Sequence, residues 1–195
     1  SAAVTSAILC NGGTATVKIT ASGGSGSYSY TFNGIPNGTG EFSGISAGTN
    51  IPWSVTDGNG CAPVTGTYTV TQPTALTASV SETTPISCYG GAASIKINAS
   101  GGTGTKTYSF EGQTDNTTGT FNGVATGTYN WSVVDANGCS VSGTYDVDQP
   151  TQIIINSIGS NSAICNGSTL TLTSSASGGT GTLRYRWTGP NGYTV

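Results

Sequence analysis

The feature that most constrains this chain is an internal repeat of about 78 residues. The loop Ser22-Gly23-Gly24-Ser25-Gly26 returns as SGGTG at 100–104 and at 177–181, with offsets of 78 and 77 residues. WSVTDGNGC at 53–61 returns as WSVVDANGC at 131–139. Because self-similarity at a fixed period marks a repeat architecture, we predict two whole units, 1–73 and 74–150, and a truncated third unit, 151–195. We expect the chain to be a piece excised from a longer protein.

Each unit is predicted to be a small β-sandwich. Ala15, Val17 and Ile19 alternate with Thr16 and Lys18, and the second unit repeats this period of two. Short segments of this kind, broken by Gly, Asn and Pro, indicate about seven strands per unit. The predicted fold class is all-β, with tandem small Ig-like antiparallel β-sandwich domains arranged as beads on a string.

Short linkers and one proline refine this picture. Each unit ends in a Gln-Pro pair followed by Thr, at Gln72-Pro73 and at Gln149-Pro150. Such short Pro-Thr joints favour a semi-rigid array over freely jointed domains. Pro52 stands in a predicted strand, which indicates either an edge strand or a bulge in the first unit.

The glycine-rich loop allows two interpretations. A phosphate-binding loop needs a following helix and usually a Gly-Lys-Ser/Thr sequence, and neither follows here. The loop occurs once per unit, as a structural turn would, and glycine adopts positive φ without steric cost. We therefore predict a turn. The aromatic stripes, such as Tyr108 with Phe110, are in the same way predicted to be core rather than sugar-stacking platforms.

The composition excludes several classes of function. The chain has 8 acidic and 5 basic residues and a net charge of −3, so no basic surface is expected to bind nucleic acid. No apolar run reaches 18 residues, so no membrane insertion is expected. The chain has no histidine, which removes the commonest general base. The hydroxyls lack an activating base and the carboxylates form no convincing acid/base pair, so we predict that the chain is not an enzyme.

The cysteines recur with the repeat. Cys10 and Cys61 are 51 residues apart, as are Cys88 and Cys139. Four cysteines allow three pairings, and the repeat favours a disulfide within each unit over two buried free thiols. Closing such a loop would stabilise a unit by about 4 kcal/mol. Cys165 is predicted to be an unpaired thiol, and disulfides place the chain in an oxidising compartment outside the cytoplasm.

Two Asp-Asn loops are the candidates for a metal site. Asp57 with Asn59, and Asp135 with Asn137, offer a carboxylate and an amide that could hold Ca²⁺. The alternative is a hairpin turn, which Asp and Asn-Gly favour. No other cofactor is expected.

Lys18 and Lys96 occupy equivalent strand positions in their units. A strand lysine can form an amide bond with Asn or Asp across the core in some surface adhesins. The alternation points both lysines outward, which disfavours such a bond here.

The order of the motifs resembles the SprB repeat family. It reads C-x-G-G, ASGG-[ST]-G, Y-x-F, WSV-x-D-x-NGC and Y-x-V-x-QP, and it is carried by Cys10 to Pro73 and by Cys88 to Pro150. That family occurs in very large surface proteins of gliding Bacteroidota, and its namesake is a mobile gliding adhesin. The third unit departs from the pattern, and ICNGSTLTL with YRWTGPNG also resembles a PKD- or immunoglobulin-like domain.

The resemblance implies a repeat segment of a cell-surface adhesin filament that takes part in gliding motility and surface attachment, on the outer surface of the cell. We expect a mainly structural stalk role, with the gliding machinery engaged through other parts of the parent protein and with extracellular surfaces or polysaccharides as partners. The alternative is a carbohydrate-binding module with weak multivalent sites. It predicts that Tyr28, Tyr89 and Asn33 are exposed and clustered at one end.

Overall fold

The computed structural model describes residues 1–189. All secondary-structure elements in these residues are β-strands. This part of the chain therefore has no helix that could span a membrane. The first unit contains β1 Ala2–Ser6, β2 Ala15–Ile19, β3 Tyr28–Phe32, β4 Ile35–Asn37, β5 Glu41–Ile45, β6 Gly48–Asp57 and β7 Val64–Val70. The second contains β8 Thr77–Thr84, β9 Ala93–Ser100, β10 Thr107–Phe110, β11 Thr120–Val124, β12 Gly127–Val134 and β13 Ser140–Val147. The third segment contains β14 Ile154–Ser160 and β15 Leu172–Ser177.

The two units share one antiparallel topology. In the first unit, a sheet of order β1-β2-β5 faces a sheet of order β4-β3-β6-β7. In the second, β8-β9-β11 faces β10-β12-β13, and a single bridge between Tyr108 and Asn116 takes the place of β4. The predicted fold class, tandem small Ig-like antiparallel β-sandwiches, is confirmed.

The alternation of residues builds one core per unit. Val17 and Ile19 in β2 are fully buried, as are Ile95 and Ile97 in β9, while the residues between them face outward. The aromatic stripes complete the same cores. The rings of Phe32 and Phe42 lie 5.6 Å apart, and those of Phe110 and Phe121 lie 5.5 Å apart. Tyr108 and Phe110 are both buried, so the prediction that they are core residues is confirmed.

Pro52 lies in a central strand. β6 pairs with β3 on one side and with β7 on the other, and Pro52 faces Thr67. The register of β6 with β7 shifts between Gly48 and Ile51, just before the proline. The edge-strand alternative is therefore wrong, and the irregular register just before the proline agrees with the bulge alternative. The carbonyl of Pro52 accepts the N–H of Asn33, just past the end of β3, so the missing N–H of the proline falls where that strand has ended.

The third segment forms only a hairpin in the described residues. β14 pairs with β15 as β1 pairs with β2, but its isoleucines are exposed: Ile155 and Ile158 each keep 65% of their surface in solvent. An isolated hairpin has no second layer against which to bury such side chains. The predicted third unit extends to residue 195, and residues 190–195 lie outside the described part of the chain.

A tryptophan folds over a glycine on the neighbouring strand in both units. Trp131 pairs with Gly143 across β12 and β13, and Trp53 pairs with Gly66 across β6 and β7. A Cβ atom added to Gly143 would lie 2.9 Å from Cζ2 of Trp131, and one added to Gly66 would lie 2.6 Å from Cζ2 of Trp53. The glycines thus leave room for the half-buried indole rings, which pack against the cores.

We predict that Gly143→Ala lowers the free energy of unfolding by about 1–3 kcal/mol, because the added methyl group displaces Trp131 from the core. Urea denaturation followed by tryptophan fluorescence measures the change. Gly38→Ala is the matched control, since Gly38 has no atom within 4 Å of an added Cβ and does not adopt a left-handed φ. Equal effects of the two substitutions would show that the ring does not depend on the missing side chain.

Candidate functional site at the junction between repeats

The repeated motifs lie at the two ends of each unit. In the second unit, the C-x-G-G loop (Cys88 to Gly91) precedes β9 and the glycine loop (100–104) follows it. The Asn-Gly-Cys loop (137–139) joins β12 to β13 and lies beside the glycine loop, because Ala136 donates its N–H to the carbonyl of Thr103 at 3.0 Å. Each unit therefore has a C-x-G-G end and, at the other end of its strands, an Asn-Gly-Cys end.

The glycine loops are turns, as predicted. All three glycines of each copy have positive φ, from +62° at Gly102 to +90° at Gly178. These left-handed conformations allow the chain to reverse direction and expose its N–H groups to a neighbouring side chain.

Asp135 organises the Asn-Gly-Cys end of the second unit. Its carboxylate accepts hydrogen bonds from the backbone N–H of Thr103 at 2.7 Å, and from those of Asn137 and Cys139 at 2.9 Å each. The side chain is buried. Burial by itself would raise the pKa of Asp135, but these three N–H donors, with Lys106 nearby, lower that pKa below its ordinary value.

Asp57 has the same role in the first unit with fewer donors. It accepts a hydrogen bond from the hydroxyl of Ser25 and a second from the Ser25 N–H at 3.1 Å. The hydroxyl of Ser25 is the main cause that lowers the pKa of Asp57. In both units the carboxylate ties the Asn-Gly-Cys loop to the glycine loop.

The Asp-Asn loops form the hairpin turns that were the alternative to a Ca²⁺ site. Gly60 donates to the carbonyl of Asp57 at 2.9 Å, and Gly138 donates to that of Asp135 at 3.0 Å. The amide of Asn137 donates to the carbonyl of Leu9 in the first unit at 3.0 Å. Within residues 1–189, no three His, Cys, Asp or Glu side chains are grouped so that they could hold a metal ion. The described contacts of the two carboxylates are thus with N–H and O–H donors.

The linker between the first two units is fixed from both sides. The side-chain carbonyl of Gln72 accepts the N–H of Gly12 at 2.7 Å, and Asn11 donates to the carbonyl of Pro73 at 3.0 Å. One residue further, the carbonyl of Thr74 accepts the N–H of Gly102 at 3.0 Å. The linker therefore bonds to the C-x-G-G loop of the first unit and to the glycine loop of the second.

A disulfide closes the junction. Cys10, in the C-x-G-G loop of the first unit, is bonded to Cys139, in the Asn-Gly-Cys loop of the second, with their Cα atoms 5.6 Å apart. The bridge spans 129 residues, and the loop-entropy relation gives it a stabilising effect of about 5 kcal/mol. It joins the C-x-G-G end of one unit covalently to the Asn-Gly-Cys end of the next.

The predicted disulfides within units, Cys10 with Cys61 and Cys88 with Cys139, do not form in this structure. Cys88 precedes the first residue of β9. Cys139 lies at the opposite end of the sandwich, beside the loop that follows the last residue of this eight-residue strand. Eight strand residues span roughly 26 Å, whereas a disulfide requires Cα atoms within about 7 Å. The two cysteines of one unit are therefore too far apart to bond, and Cys61, Cys88 and Cys165 are free and exposed thiols in residues 1–189.

A second repeated turn was not anticipated from the sequence. Asn37 accepts the N–H of Gly40 at 2.7 Å, and Asn116 accepts that of Gly119 at 2.6 Å. Lys18 and Lys96 point outward, as predicted, and donate to carbonyls in these turns, those of Thr39 at 2.9 Å and Thr118 at 2.6 Å. The signal was present, since Asn-x-Thr-Gly occurs at 37–40 and again at 116–119.

The residues that a glycan site would share are not clustered. Tyr28 is the first residue of β3 and lies near the Asn-Gly-Cys end, where its hydroxyl donates to the carbonyl of Gly23. Asn33 follows the other end of the same strand, and Tyr89 belongs to the C-x-G-G loop of the second unit. Tyr28 is half-buried, whereas Asn33 and Tyr89 are exposed. The predicted cluster at one end is therefore wrong.

We predict that the stability conferred by Asp135 is lost in acid. Because the pKa of its carboxyl is lower in the folded than in the unfolded chain, this contribution is present above the unfolded pKa of about 4 and disappears as the pH falls through the folded pKa. Asp135→Asn should be less stable than the parent at pH 7, and the difference should shrink below about pH 4. Thermal unfolding across pH measures it, with the exposed Asp115 changed to Asn as control. A difference that does not depend on pH would contradict this role.

We predict that the oxidised chain yields a peptide in which Cys10 is joined to Cys139. Non-reducing proteolysis and mass spectrometry identify it. Cys10→Ser should remove this peptide and free the Cys139 thiol, whereas Cys61→Ser, the matched control, should leave it unchanged. A peptide joining Cys10 to Cys61 would restore the pairing within units.

Comparison with solved structures finds tandem β-domains of low sequence identity. The three N-terminal domains of the highly immunogenic outer capsid protein (Hoc) of bacteriophage RB49 superpose with a TM-score of 0.51 and 14% identity, covering 91% of this chain and 68% of that one. At this identity the likeness is one of fold alone.

Two further structures superpose less well. The C-terminal 282-residue fragment of intimin, in complex with the intimin-binding domain of its translocated receptor, gives a TM-score of 0.47 at 16% identity, over 80% of this chain and 66% of that one. The fibronectin(III)-like modules of CbhA from Clostridium thermocellum give 0.31 at 15% identity, over 76% and 95%. No curated protein matches the chain.

A family model matches the chain twice. The SprB repeat model matches residues 2–37 and residues 80–114. The two matches begin 78 residues apart, which is the period of the internal repeat, and each runs from the first strand of a unit through its C-x-G-G and glycine loops. The resemblance predicted from the motifs is confirmed at these two segments, each of which matches the SprB repeat.

Proposed function

We propose that this chain is a segment of the stalk of a bacterial cell-surface adhesin filament, in which repeats are held head to tail and carry tension along the filament. The observation that carries the proposal is the disulfide between Cys10 and Cys139. It lies at the junction of two units and not inside either sandwich.

The position of the bridge determines how a pulling force would pass through the chain. A force applied at the two ends reaches Cys10, crosses to Cys139 through the covalent bond and leaves toward the third segment. The two cysteines are 129 positions apart, and the segment between them contains most of both sandwiches. That length of chain would extend by roughly 450 Å if it were unfolded and released. The bridge excludes it from the loaded path.

The linker contacts add resistance to bending. On either side of the junction, Gln72 is bonded to Gly12 of the first unit and Thr74 to Gly102 of the second. The amide of Asn137 also donates to the carbonyl of Leu9. The two units are thus connected twice, once by the linker and once by the contacts between the loop of Cys10 and the loop of Asn137. Two separate connections oppose a hinge motion that a single flexible linker would allow.

The family supports the cellular setting that we propose. SprB repeats resemble elements of mobile gliding adhesins, so we infer that the filament lies on the outer surface of the cell and serves surface attachment and gliding. An extracytoplasmic location also agrees with the disulfide, because such bonds persist in oxidising environments. Attachment to polysaccharides or other surfaces, and engagement of the gliding machinery, belong in this proposal to other parts of the parent protein. The repeats themselves have no catalytic role.

We predict that the oxidised chain, pulled from residues 1 and 195 in single-molecule force spectroscopy, releases roughly 450 Å less contour length than the reduced chain. The double variant Cys10→Ser with Cys139→Ser should behave like the reduced chain under all conditions. Cys61→Ser with Cys88→Ser is the matched control and should behave like the oxidised parent.

Two results would overturn the stalk function. Equal extension of the oxidised and reduced chains would mean that force does not pass through the bridge. Saturable binding of the oxidised chain to a panel of immobilised polysaccharides, at concentrations typical of lectin-like modules, would make the repeats the adhesive element instead.

A further inference from the structure

We propose that Cys88 and Cys61 are halves of further junction disulfides, so that a continuous array of repeats carries one bridge at every joint. Cys88 would bond to the cysteine of the Asn-Gly-Cys loop in the repeat that follows, and Cys61 to the cysteine of the C-x-G-G loop in a repeat that precedes. This inference rests on the proposed stalk function and names the partner of the exposed thiols as another repeat of the same kind.

The loop of Cys88 has the conformation of the loop of Cys10. Gly91 donates to the carbonyl of Cys88 at 3.0 Å, as Gly13 does to that of Cys10 at 3.0 Å. Gly90 donates to the side chain of Gln149 at 2.8 Å, the counterpart of the bond from Gly12 to Gln72. Tyr89 replaces Asn11, so the bond from Asn11 to the linker is not repeated. The cysteine is nevertheless presented on an equivalent turn, at the same end of its unit.

The second linker is fixed in the same way as the first. The carbonyl of Thr151 accepts the N–H of Gly179 at 2.8 Å, as that of Thr74 accepts the N–H of Gly102 at 3.0 Å. The glycine loop of the third segment is thus docked on the second linker. Because the Asn-Gly-Cys loop lies beside the glycine loop in the complete second unit, a complete third unit would bring its own cysteine to the position that faces Cys88.

Cys61 is the complementary half at the opposite end of the chain. It follows Asn59-Gly60 in a turn closed by the bond from Gly60 to the carbonyl of Asp57, as Cys139 follows the turn closed at Asp135. Asp57 ties this turn to the glycine loop through Ser25. Cys61 is exposed and free, and its position in the sequence repeat is that of Cys139.

Successive bridges would overlap along the chain. Cys88 lies between Cys10 and Cys139 in the sequence, so a bridge from Cys88 to the next repeat would begin inside the loop that the first bridge closes. Each interior repeat would then lie within two such loops. In such a filament the shortest covalent path through each interior repeat would be the 51 positions between its two cysteines, shorter than the backbone period of 78.

Formation of each bridge requires an oxidant. The thiolate of one cysteine attacks a disulfide of the oxidant and forms a mixed disulfide, from which the thiolate of the second cysteine displaces the remaining oxidant thiol. The two protein thiols lose two protons and two electrons, and the oxidant is reduced to its thiols. Oxidised glutathione serves as this reagent in the test.

The test is a chain in which residues 74–150 are repeated once, directly after Pro150, with the rest of the sequence kept. After folding with oxidised glutathione, non-reducing peptide mapping should find Cys10 joined to Cys139 and also Cys88 joined to the Cys139 counterpart in the added copy. Free thiols should stay at three, as in the parent, since the added copy supplies one new partner and one new open thiol.

Variants separate the new bridge from the known one. Cys88→Ser in the extended chain should remove only the second cross-linked peptide and free its partner, whereas Cys165→Ser should leave both bridges in place. Pairing of the added copy's two cysteines with each other, or two additional free thiols, would overturn the proposal of one bridge at every joint. If the extended chain lacks the second bridge but the bond between Cys10 and Cys139 still reduces the contour length released under force, this inference alone is refuted. The stalk function would then still stand.

Discussion

The distance between the two cysteines of a unit is the constraint on which the junction depends. Cys88 and Cys139 lie at opposite ends of a sandwich whose strand β9 is eight residues long, and a disulfide cannot span that length. Each cysteine can reach only a neighbouring unit. For this geometric reason, cysteines whose spacing suggests a disulfide within one unit form a disulfide between two units instead.

The same geometry explains which motifs recur. The cores are maintained by residue type at alternating positions, so Val17 and Ile19 become Ile95 and Ile97 without loss of packing. The ends depend on particular residues, because Gln72 and Asp135 accept directed hydrogen bonds and the glycines of the loops adopt positive φ. Several of the sequence identities that define the repeat therefore lie at the joints.

Sequence reasoning predicted the sandwiches, the buried faces of β2 and β9, the turns at the glycine loops and the outward lysines, since these follow from local alternation and backbone preference. It failed on the cysteine pairing because both pairings obey the period. The separation of 129 residues equals the internal spacing of 51 plus one repeat of 78, so spacing alone cannot distinguish them. The order of strands could have done so, since loops that precede β2 and follow β6 fall at opposite ends. The clamp of Gln72 on Gly12 is tertiary and had no local signal.

The scarcity of charge fits a joint made of covalent and hydrogen bonds. The ion pair described in residues 1–189 joins Lys18 and Glu41 at 3.9 Å; both side chains are partly in solvent, and such a pair contributes little to stability. The junction instead relies on Cys10 with Cys139, on Gln72 and on Thr74, none of which carries a formal charge. Salt weakens interactions between exposed charges, and largely screens those more than about 10 Å apart at about 0.1 M ionic strength. An array joined without such charges keeps its contacts as the ionic strength outside the cell changes. Its integrity depends on the redox state of the surroundings, because reduction would remove the bridge and leave the linker, its hydrogen bonds and the bond from Asn137 to Leu9 to hold the two units together.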